Sequence, residues 1–384
     1  MEFDFLEPIS EQLVAFRTSL SAQQLGSKIA VHTQKAFPDL ENCKMALIGV
    51  LENRDENGLV SNFDLTTVRK KLYSLFPGNW HEKIVDLGDV LAGNSKEDTT
   101  FAVQKINEKL HRLNIIPIVL GCPHDLTYAM YRAYDNLEQM VNLVTIDNKF
   151  DIGTADQIMN SNSYISKIII DEPTNLFNFS NIGYQTYYTP QEEIDLIEKL
   201  NFDAYRLGEI SANIALAEPI LRDADLVSID MTSLQSTVST NFDTFEPNGF
   251  SGKEICALAR YAGISDKVSA FGIFNFNASL SNSSTIAQII WYFIEGVNYR
   301  WNDYPFGTKE NYIKFTVTTE TADIVFFQSN TSNRWWIAIP FFANANNKLK
   351  KITLLPCSHQ DYLSTCNNEL PERWWKAQQK NNLY

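Results

Sequence analysis

The sequence predicts a three-layer α/β/α fold built on a mainly parallel, doubly wound sheet, with a β-rich extension at the C-terminus. Over the first 300 residues, short apolar runs rich in β-branched residues alternate with amphipathic stretches. The apolar runs are continuous, which is typical of parallel strands buried on both faces. After about residue 300, β-rich runs follow one another without helical stretches between them. We therefore expect an α/β domain over residues 1–300 and an extension over 301–384, packed on that domain.

The individual elements follow from this alternation. Seven apolar runs predict strands of the main sheet, at residues 46–51, 83–86, 115–120, 143–146, 167–170, 225–229 and 268–273. Helical spacing of apolar residues predicts helices that include residues 99–113, 126–137, 191–200, 206–221, 252–262 and 284–297. In the extension, residues 312–318, 323–328 and 334–340 predict an antiparallel meander, because only short turn-like spacers separate them.

The composition is that of an ordinary globular protein with an excess of acidic residues. Of 384 residues, 44% are hydrophobic and 20% are charged, and the formal net charge is −14. This charge argues against nucleic acid or an anionic membrane as a partner, since both attract basic surfaces. The five cysteines do not form the pattern of a disulfide framework. The sequence shows no signal peptide and no apolar run of membrane-spanning length, so we expect a cytoplasmic protein.

Polar residues follow three of the predicted strands, at the edge where ligands bind in open α/β sheets. These residues are His124, the pair Asp147 and Asp151, and Asp230. Carboxylates buried at such an edge need a compensating cation or hydrogen bonds. One imidazole and three carboxylates suit a divalent ion such as Mn²⁺, Zn²⁺ or Mg²⁺. Taken singly, each residue is equally typical of a turn or a helix cap.

Together these segments resemble the ureohydrolases, the superfamily of arginase, agmatinase and formimidoylglutamase. The family's Gly-Gly-Asp-His motif corresponds to residues 121–124 and its Asp-Ala-His-x-Asp motif to residues 147–151. Its Ser-x-Asp-x-Asp-x-x-Asp-Pro motif corresponds to residues 228–236. Residues 86–90 and 247–250 are similar to its Gly-Asp-Val and Pro-Gly-Gly-Leu segments. The resemblance spans about residues 40–300 and implies an arginase-like fold, whose members bind two Mn²⁺ ions.

The resemblance also implies that only one of the two metal sites survives. The ligands of one ion correspond to His124, Asp147, Asp151 and Asp230. The private ligands of the other correspond to Lys149 and Thr232, which replace an imidazole and a carboxylate. The glutamate that grips the guanidinium or formimino group falls near Asn275, and a later histidine of the family falls near Tyr164. We therefore expect either no metal or one divalent ion, manganese or zinc, and no second ion.

Lys149 has three interpretations. As a structural counter-ion it would neutralise Asp147 and Asp230 and keep the loops folded without metal, and this is the preferred interpretation. It could instead point to solvent without a partner, or act as a catalytic lysine with a lowered pKa.

Two groups of cysteine and histidine residues carry further alternatives. Cys122 lies close to His124 and could form a nucleophile pair with it, but packing is favoured because the intervening Pro123 does not aim the two side chains at each other. Cys357, His359 and Cys366 offer three zinc ligands, one fewer than a closed structural site needs.

Two main functional hypotheses follow. The first is a pseudoenzyme whose old site is a salt-bridged scaffold and whose extension binds a protein partner. The second is a diverged hydrolase that cleaves C–N bonds of linear amidines or amides with the single residual metal. A third hypothesis is a small-molecule sensor that uses the emptied cleft. Four tryptophans concentrate in the extension and would either pack it on the parent domain or form the partner surface: Trp335, Trp336, Trp374 and Trp375. Members of the family commonly form trimers or hexamers, so the resemblance also implies that this protein could form an oligomer.

Overall fold

A sheet of ten strands occupies the centre of the part of the chain that the structure describes. This computed structural model describes residues 3–54, 63–137, 139–154, 159–239, 246–276, 280–305, 310–320, 322–339 and 354–383. The strands of this sheet are β1 (Leu6–Glu7), β2 (Ala30–Val31), β3 (Cys43–Val50), β4 (Lys83–Val90), β5 (Ile116–Gly121), β6 (Val141–Ile146), β7 (Leu176–Tyr184), β8 (Asp203–Arg206), β9 (Leu226–Asp230) and β10 (Ala270–Phe274). Their order is β1-β4-β3-β5-β10-β9-β6-β7-β8, with β2 beside β4. Apart from the antiparallel β1–β4 pair, the pairings are parallel.

Helices cover both faces of this sheet. They are α1 (Glu11–Thr18), α2 (Leu25–Lys28), α3 (Thr66–Ser74), α4 (Lys96–Arg112), α5 (Leu126–Arg132), α6 (Tyr164–Ile170), α7 (Gln191–Lys199), α8 (Leu207–Ala212), α9 (Ala217–Arg222), α10 (Ser236–Ser239), α11 (Gly252–Ile264) and α12 (Leu280–Asn298). One apolar cluster packs α3, α9, α11 and α12 on one face, and another packs α4 to α7 on the other face. The predicted three-layer α/β/α fold with a mainly parallel, doubly wound sheet is confirmed. Among the described helices, none has the length and apolar character needed to cross a bilayer.

Local sequence explains the strands and helices that the pattern predicted well. Strands β5 and β6 are buried at every position, which is why they read as continuous apolar runs. Helix α4 begins with a capping box in which Ser95 and Asp98 bond each other's backbone N–H groups. Helix α11 begins in the same way at Ser251 and Glu254. Both helices have an apolar face turned towards the sheet.

Four elements of the main domain differ from the sequence prediction in the ways that follow. Residues 167–170 are the end of helix α6, not a strand; Ile165 and Ile168 are buried at helical spacing while Ile170 is 56% exposed. Strand β7 was missed because its buried polar residues, including Asn178 and Asn181, interrupt the apolar run. Strand β8 was also missed. The helix predicted over 206–221 divides into α8, a 3₁₀ turn and α9, with the break at Asn213, whose side chain accepts from the backbone of Ala215.

The extension forms a second sheet, which is antiparallel as predicted. Its strands are β11 (Tyr312–Thr318), β12 (Asp323–Ser329), β13 (Trp335–Ala338) and β14 (Leu354–Cys357), paired in that order. Two helices that the sequence pattern did not predict follow it: α13 (His359–Cys366) and α14 (Glu372–Leu383).

Arg222, the last residue of α9, joins this extension to the α/β domain. Its guanidinium donates to the backbone oxygens of Trp335 at 3.1 Å and Cys357 at 2.8 Å, and it lies over the Trp336 ring at 4.6 Å from the centroid. Arg222 lies just before the start of strand β9 in the chain. The extension, which contacts Arg222, therefore packs beside the amino ends of the central strands. The opposite, carboxyl edge is where the polar motifs lie.

Candidate metal centre

The order of the strands brings the predicted site residues together. Strands β5, β10, β9 and β6 are consecutive neighbours in the sheet, and their carboxyl ends therefore meet at one edge. His124 follows β5, Asn275 follows β10, Asp230 is the last residue of β9, and Asp147 follows β6. Asp151 completes the loop after β6. Among the described residues, the group of His, Cys, Asp and Glu side chains that could hold a metal is His124, Asp147, Asp151 and Asp230.

The four side chains converge on one imidazole nitrogen. His124 Nδ1 lies 3.2 Å from the Oδ2 atoms of each of Asp147, Asp151 and Asp230. All four residues are buried, with 4% or less of their surface exposed. One nitrogen and three carboxylate oxygens, one from each residue, lie within 4.8 Å of one another. The sequence prediction that these residues share a site therefore agrees with their positions in the structure.

Hydrogen bonds fix the orientation of the His124 ring. Its Nε2 atom bonds Ser228 Oγ at 2.9 Å, and Ser228 Oγ bonds Thr127 Oγ1 at 2.6 Å. The hydroxyl of Tyr164 lies 3.2 Å from Nε2, and its ring contacts the imidazole with centroids 4.9 Å apart. A partner on Nε2 leaves Nδ1 turned towards the three carboxylates. This is the arrangement by which second-layer groups orient a metal-binding histidine.

Backbone groups of the loops hold the carboxylates. Asp147 Oδ1 accepts from the Lys149 N–H at 3.1 Å, and Asp230 Oδ1 accepts from the Thr232 N–H at 2.7 Å. Asp230 Oδ2 also accepts from the side-chain amide of Asn275 at 2.6 Å. Asp151 has φ = 52°, in the left-handed region that aspartate tolerates better than most residues. The short loops thus turn their carboxylates inward through local hydrogen bonds.

Burial and mutual repulsion perturb the charges of this site. Burial alone would lower the pKa of His124, but the adjacent carboxylates of Asp147, Asp151 and Asp230 raise that pKa well above its ordinary value. Burial, and next the charges of Asp151 and Asp230, raise the pKa of Asp147 well above its ordinary value. Burial acts in the same direction on Asp230, but contacts with His124 and Thr232 outweigh it and lower its pKa. In the part of the chain that the structure describes, three buried carboxylates therefore share one cationic partner, His124.

The donor set fits one divalent ion. Asp147 Oδ2 is buried and accepts no hydrogen bond from the described part of the chain, although it faces the centre of the group. Imidazole nitrogen and carboxylate oxygen are normal ligands of Zn²⁺ and Mn²⁺, with ligand distances of about 2.0–2.2 Å. An ion would supply the positive charge that one imidazole supplies incompletely to three carboxylates. His124, Asp147, Asp151 and Asp230 would hold it.

Lys149 and Thr232 stand where the resemblance places the private ligands of a second ion. Lys149 Nζ donates to Asn162 Oδ1 at 2.6 Å on the protein surface. Among the carboxylates of the described residues, none pairs with Lys149 within 4 Å, so the interpretation of Lys149 as a counter-ion to Asp147 and Asp230 was wrong. The cation that contacts these carboxylates is instead His124. The physical reason is that the Lys149 backbone N–H caps Asp147, and its side chain then leaves the loop towards solvent.

Thr232 and Asn275 have different environments. The Thr232 hydroxyl is buried and has no hydrogen-bond partner among the described residues, so it lies at the site without the charge that a carboxylate would contribute. Asn275 has φ = 55°, and its backbone N–H donates to the Cys122 carbonyl at 2.6 Å. Its side-chain amide is a donor to Asp230, whereas a glutamate there would repel that aspartate. Asn275 therefore stabilises the ligand carboxylate and presents no carboxylate to a substrate.

The cysteine alternatives resolve in favour of packing. Burial, and then the charges of Asp125 and Glu52, raise the pKa of the Cys122 thiol, which is the opposite of nucleophile activation. Cys357 is buried, whereas Cys366 is exposed. His359 stacks on the rings of Trp335 and Tyr362. Within the described ranges, these three residues do not gather as metal ligands.

Sequence reasoning assigned no role to Ser228, Thr127 or Tyr164. A signal for Ser228 was present, because it lies two residues before Asp230 on a strand and shares a face with it. Thr127 lies one turn beyond His124 at the start of α5. Tyr164 reaches His124 from the start of helix α6, whose residues 167–170 were predicted as a strand. Its contact with the imidazole depends on that helix and could not be read from spacing.

Solved structures of other proteins share this fold. The structure is similar to a formiminoglutamase of Trypanosoma cruzi solved with Mn²⁺, with a TM-score of 0.62 and 17% identity over 72% of this chain and 99% of that chain. It is similar to the formimidoylglutamase of Bacillus subtilis, with a TM-score of 0.59 and 16% identity over 69% and 91% of the two chains. It also resembles the agmatine ureohydrolase of Thermoplasma volcanium, with a TM-score of 0.56 and 17% identity over 74% and 98%.

These identities are low enough that the structural likeness establishes the fold alone. No curated protein sequence gives a significant match. The sequence profile of the Arginase family, however, matches residues 65–295, which is more than half of the chain and includes all four candidate ligands. The chain belongs to the arginase family.

Proposed function

We propose that this protein is a pseudoenzyme of the ureohydrolase fold that binds one divalent ion, manganese or zinc, and no second ion. The observation that carries the proposal is the asymmetry of the site. One complete ligand set surrounds His124 Nδ1, whereas the second position offers an outward-pointing lysine and a threonine hydroxyl. The bound ion would serve as the counter-charge of three buried carboxylates and would hold the loops after β5, β6 and β9 together.

Loss of the dinuclear reaction follows from the chemistry of these side chains. In two-metal hydrolysis, the pair of ions generates a hydroxide at neutral pH and clamps the reacting group between them. Neither the ammonium of Lys149 nor the hydroxyl of Thr232 can replace the imidazole and the carboxylate that would bind a second ion. Asn275 donates to Asp230 and offers no carboxylate to a guanidinium or formimino group. Of the five histidines, His124 is the one that lies in the site. Both of its ring nitrogens are bonded to structural partners, so His124 is not available to transfer protons in a reaction.

The second candidate function is hydrolysis of a linear amidine or amide with a single metal. The complete set of four ligands favours it, because single-metal hydrolases are an established class. A bound ion would act there as a Lewis acid and lower the pKa of a bound water. This chain would contribute positioning through Ser228, Tyr164 and Asn275 around the ligands, with no further general base among the described residues of the site.

Elemental analysis separates these alternatives from a metal-free scaffold. After loading with Mn²⁺ or Zn²⁺ and removal of excess ion, we expect close to one ion per chain. Asp230→Ala removes a ligand and should abolish that ion, whereas Asp223→Ala at the other edge of the sheet is the matched control and should retain it. Occupancy near zero in the wild-type protein would contradict the metal-binding half of the proposal.

Activity measurements test the pseudoenzyme half. The metal-loaded protein is assayed for release of urea, ammonia or formamide from arginine, agmatine and formiminoglutamate. We expect no turnover. A restorative double variant, Lys149→His with Thr232→Asp, should raise the metal content towards two ions per chain if the loops keep the family arrangement. Turnover by the wild-type protein that disappears with Asp230→Ala would establish the hydrolase instead.

The remaining predictions concern partners, assembly and location. Trp335, Trp336 and Trp374 are buried in the extension, whereas Trp375 is 43% exposed and is the tryptophan of that group available to a protein partner. Five free cysteines are consistent with a reducing, cytoplasmic location. The division near residue 300, a protein partner and an oligomer stay predictions, and size measurement with cross-linking of the purified full-length chain tests the last two.

A further inference from the structure

Strand β11 (Tyr312–Thr318) is an outer strand of the antiparallel sheet in the extension. It pairs with β12 at every residue, in one unbroken register without a bulge. The other outer strands of the two sheets, β1, β2, β8 and β14, have only two to four residues. An open strand edge is a template for another strand, and proteins usually keep such edges short, bulged or interrupted by proline. At seven residues and without proline, β11 has none of these features.

Backbone hydrogen bonds at both ends of the β11–β12 pair identify the groups that point outward. The Asn330 N–H donates to the Asn311 carbonyl at 2.9 Å, and the Thr319 N–H donates to the Ala322 carbonyl at 3.1 Å. Because hydrogen-bonded pairs alternate along an antiparallel ladder, the odd-numbered residues of β11 bond β12. The even-numbered residues turn their backbone N–H and C=O groups away from β12. These residues are Tyr312, Lys314, Thr316 and Thr318. Their outward backbone groups have no hydrogen-bond partner in the described part of the chain.

The opposite edge of this sheet, strand β14, is closed. Its residues are all buried. The carbonyl of Cys357 accepts from Arg222 at 2.8 Å, and the carbonyl of Pro356 accepts from Arg373 at 3.1 Å. Pro356 also has no N–H to offer to a further strand. Head-to-tail growth of the sheet would need two open edges, so two copies can join only edge to edge, about a two-fold axis.

The apolar core of the extension reaches the surface at β11. Phe315 packs on Trp335 with ring centroids 5.0 Å apart, and both Phe315 and Val317 are half-buried at the margin of this core. Ile313 lies on the same face of the strand and is 47% exposed. A strand added beside β11 would place its side chains against these residues and remove apolar surface from water.

Charged side chains of opposite sign lie near the two ends of β11. Lys314 is exposed near the start, and Glu320 is exposed two residues beyond the end. The carboxylate of Asp323, which accepts from the Thr318 hydroxyl at 2.8 Å, adds a second acidic group near the end. Within the described ranges, neither Lys314 nor Glu320 forms an ion pair within 4 Å. In an antiparallel pair of two β11 strands, the basic start of each strand meets the acidic end of the other.

We propose that β11 pairs in antiparallel orientation with β11 of a second copy of this chain, with Thr316 facing Thr316 across the two-fold axis. Lys314 then lies opposite Thr318 of the second copy, and each of these facing pairs exchanges two backbone hydrogen bonds. Phe315 lies opposite Val317 of the second copy. Lys314 is diagonal to Glu320 of the second copy, at a separation of about 7–8 Å that long side chains can span.

The neighbouring registers are less favourable. A pair centred on Phe315 places Glu310 opposite Glu320, and a pair centred on Lys314 places two lysines opposite each other. Like charges that face each other directly destabilise a strand pair. A pair centred on Val317 shortens the pairing within β11 to residues 316–318. The register centred on Thr316 therefore combines a longer ladder with opposite charges.

Sedimentation velocity of the full-length chain, at a series of concentrations, tests the association. We expect a reversible equilibrium between monomer and dimer with a Kd in the micromolar range. A wild-type protein that stays monomeric up to about 100 μM would overturn the proposal.

Charge reversal tests the surface and the register together. Lys314→Glu and Glu320→Lys should each weaken self-association about tenfold, because two attractive pairs become repulsive. Mixed in equal amounts, the two variants should form a heterodimer about as tightly as the wild type, since every diagonal pair is again of opposite charge. Lys253→Glu, at an exposed lysine of α11 in the α/β domain, is the matched control and should dimerise like the wild type.

Thr316→Pro tests the backbone ladder. It removes an N–H that points outward at the two-fold axis and leaves the hydrogen bonds between β11 and β12 in place. Its circular dichroism should match that of the wild type, whereas its dimer should be lost at concentrations where the wild type is dimeric. An association that is unchanged in both charge variants, or a mixture that associates no better than either variant alone, would overturn the proposal, because the copies would then meet at another surface or in another register.

Discussion

A cluster of three buried aspartates lies at each of the two ends of the central strands, the carboxyl edge and the amino edge of the sheet. At the carboxyl edge they are Asp147, Asp151 and Asp230, and at the amino edge they are Asp203, Asp223 and Asp225. All six are 5% exposed or less. The two clusters therefore carry the same formal charge and are similarly shielded from water.

The clusters differ in the cations that compensate them. At the amino edge, Lys267 Nζ lies 3.3 Å from both Asp223 and Asp225, and residues of α14 add Arg373 at 3.8 Å and Lys376 at 3.7 Å from Asp223 and Asp203. At the carboxyl edge, the partner within 4 Å among the described residues is the His124 imidazole.

This difference distinguishes a structural cluster from a ligand site. Buried charges are retained in proteins when they are paired or when they coordinate a metal. The amino edge is compensated by side chains of this chain, most of them contributed by the extension. The carboxyl edge is compensated incompletely, which is what a site prepared for a cation requires. The extension thus compensates the aspartates of the amino edge, whereas the aspartates of the carboxyl edge keep the unbalanced charge on which the proposed metal site rests.

The largest predicted effect concerns the attachment of the extension. Arg222→Leu should lower the free energy of unfolding by about 3–5 kcal/mol, because it leaves two backbone carbonyls without their buried donor and removes the nearer of two arginine partners of Glu218. Urea denaturation of the full-length chain measures this. Arg206→Leu, at an exposed arginine, is the control and should change stability by about 0.5 kcal/mol or less. Equal effects of the two variants would mean that the extension does not depend on the amino edge.

A pH-dependent effect is expected from Asp225. Burial, opposed by the charge of Lys267, raises the pKa of Asp225 to about 6, above the value of about 3.9 in the unfolded chain. A raised carboxyl pKa stabilises the folded state fully below about pH 4, and this contribution is lost as the pH rises through about 6. The loss amounts to about 3 kcal/mol.

The comparison that isolates this group is wild type against Asp225→Asn, which does not titrate. We expect the difference in unfolding free energy between the two proteins to change from pH 4 to pH 7 in favour of the variant. A difference that stays constant over this range would show that Lys267 compensates Asp225 completely.

Removing one negative charge should change the free energy of unfolding in opposite directions at the two edges. With a chelator present, Asp147→Asn should raise the unfolding free energy by about 1 kcal/mol, because it relieves repulsion with Asp151 and Asp230 and its amide can donate to them. Asp223→Asn should lower it by about 1–3 kcal/mol, because Lys267 and Arg373 lose a buried partner. Chemical denaturation of both isosteric variants is the measurement. If both variants changed the unfolding free energy in the same direction, the two edges would not differ in their electrostatic compensation.

The smallest predicted effect concerns Lys149. Lys149→Met should change the unfolding free energy of the metal-free protein by less than about 0.5 kcal/mol, because its ammonium bonds only a surface amide. Asn162→Ala, which removes the other partner of that bond, is the matched control and should behave alike. A loss well above 1 kcal/mol for Lys149→Met alone would restore its interpretation as the counter-ion of the aspartates.

Much of the fold was predictable because the buried parallel strands are continuous apolar runs. Strands such as β5 and β6 could therefore be predicted from the sequence. Strand β7 did not, because buried Asn178 and Asn181 make its sequence resemble a loop. Asn178 bonds Asp203 and Lys380, and Asn181 bonds the Lys149 carbonyl. Those partners come from distant segments, so the stability of polar residues inside this strand cannot be judged locally.

The candidate site was also predictable from the sequence only in part. The four candidate ligands could be named from residue type, order and position at strand ends. The direction of Lys149 did not, because a long flexible side chain can reach either the carboxylates or the surface from the same backbone position. The roles of Ser228, Tyr164 and Asn275 also depended on distances between separate strands and helices.

By itself, the sequence determined the α/β layering, the antiparallel character of the extension and the four residues of the candidate metal centre. These properties depend on local hydrophobic pattern and on side-chain chemistry, which the order of residues contains directly. Only the tertiary structure decided that His124, and not Lys149, faces the three aspartates, and that the extension compensates the opposite edge of the sheet. Electrostatic compensation depends on distance and burial, and residues far apart in the chain create both.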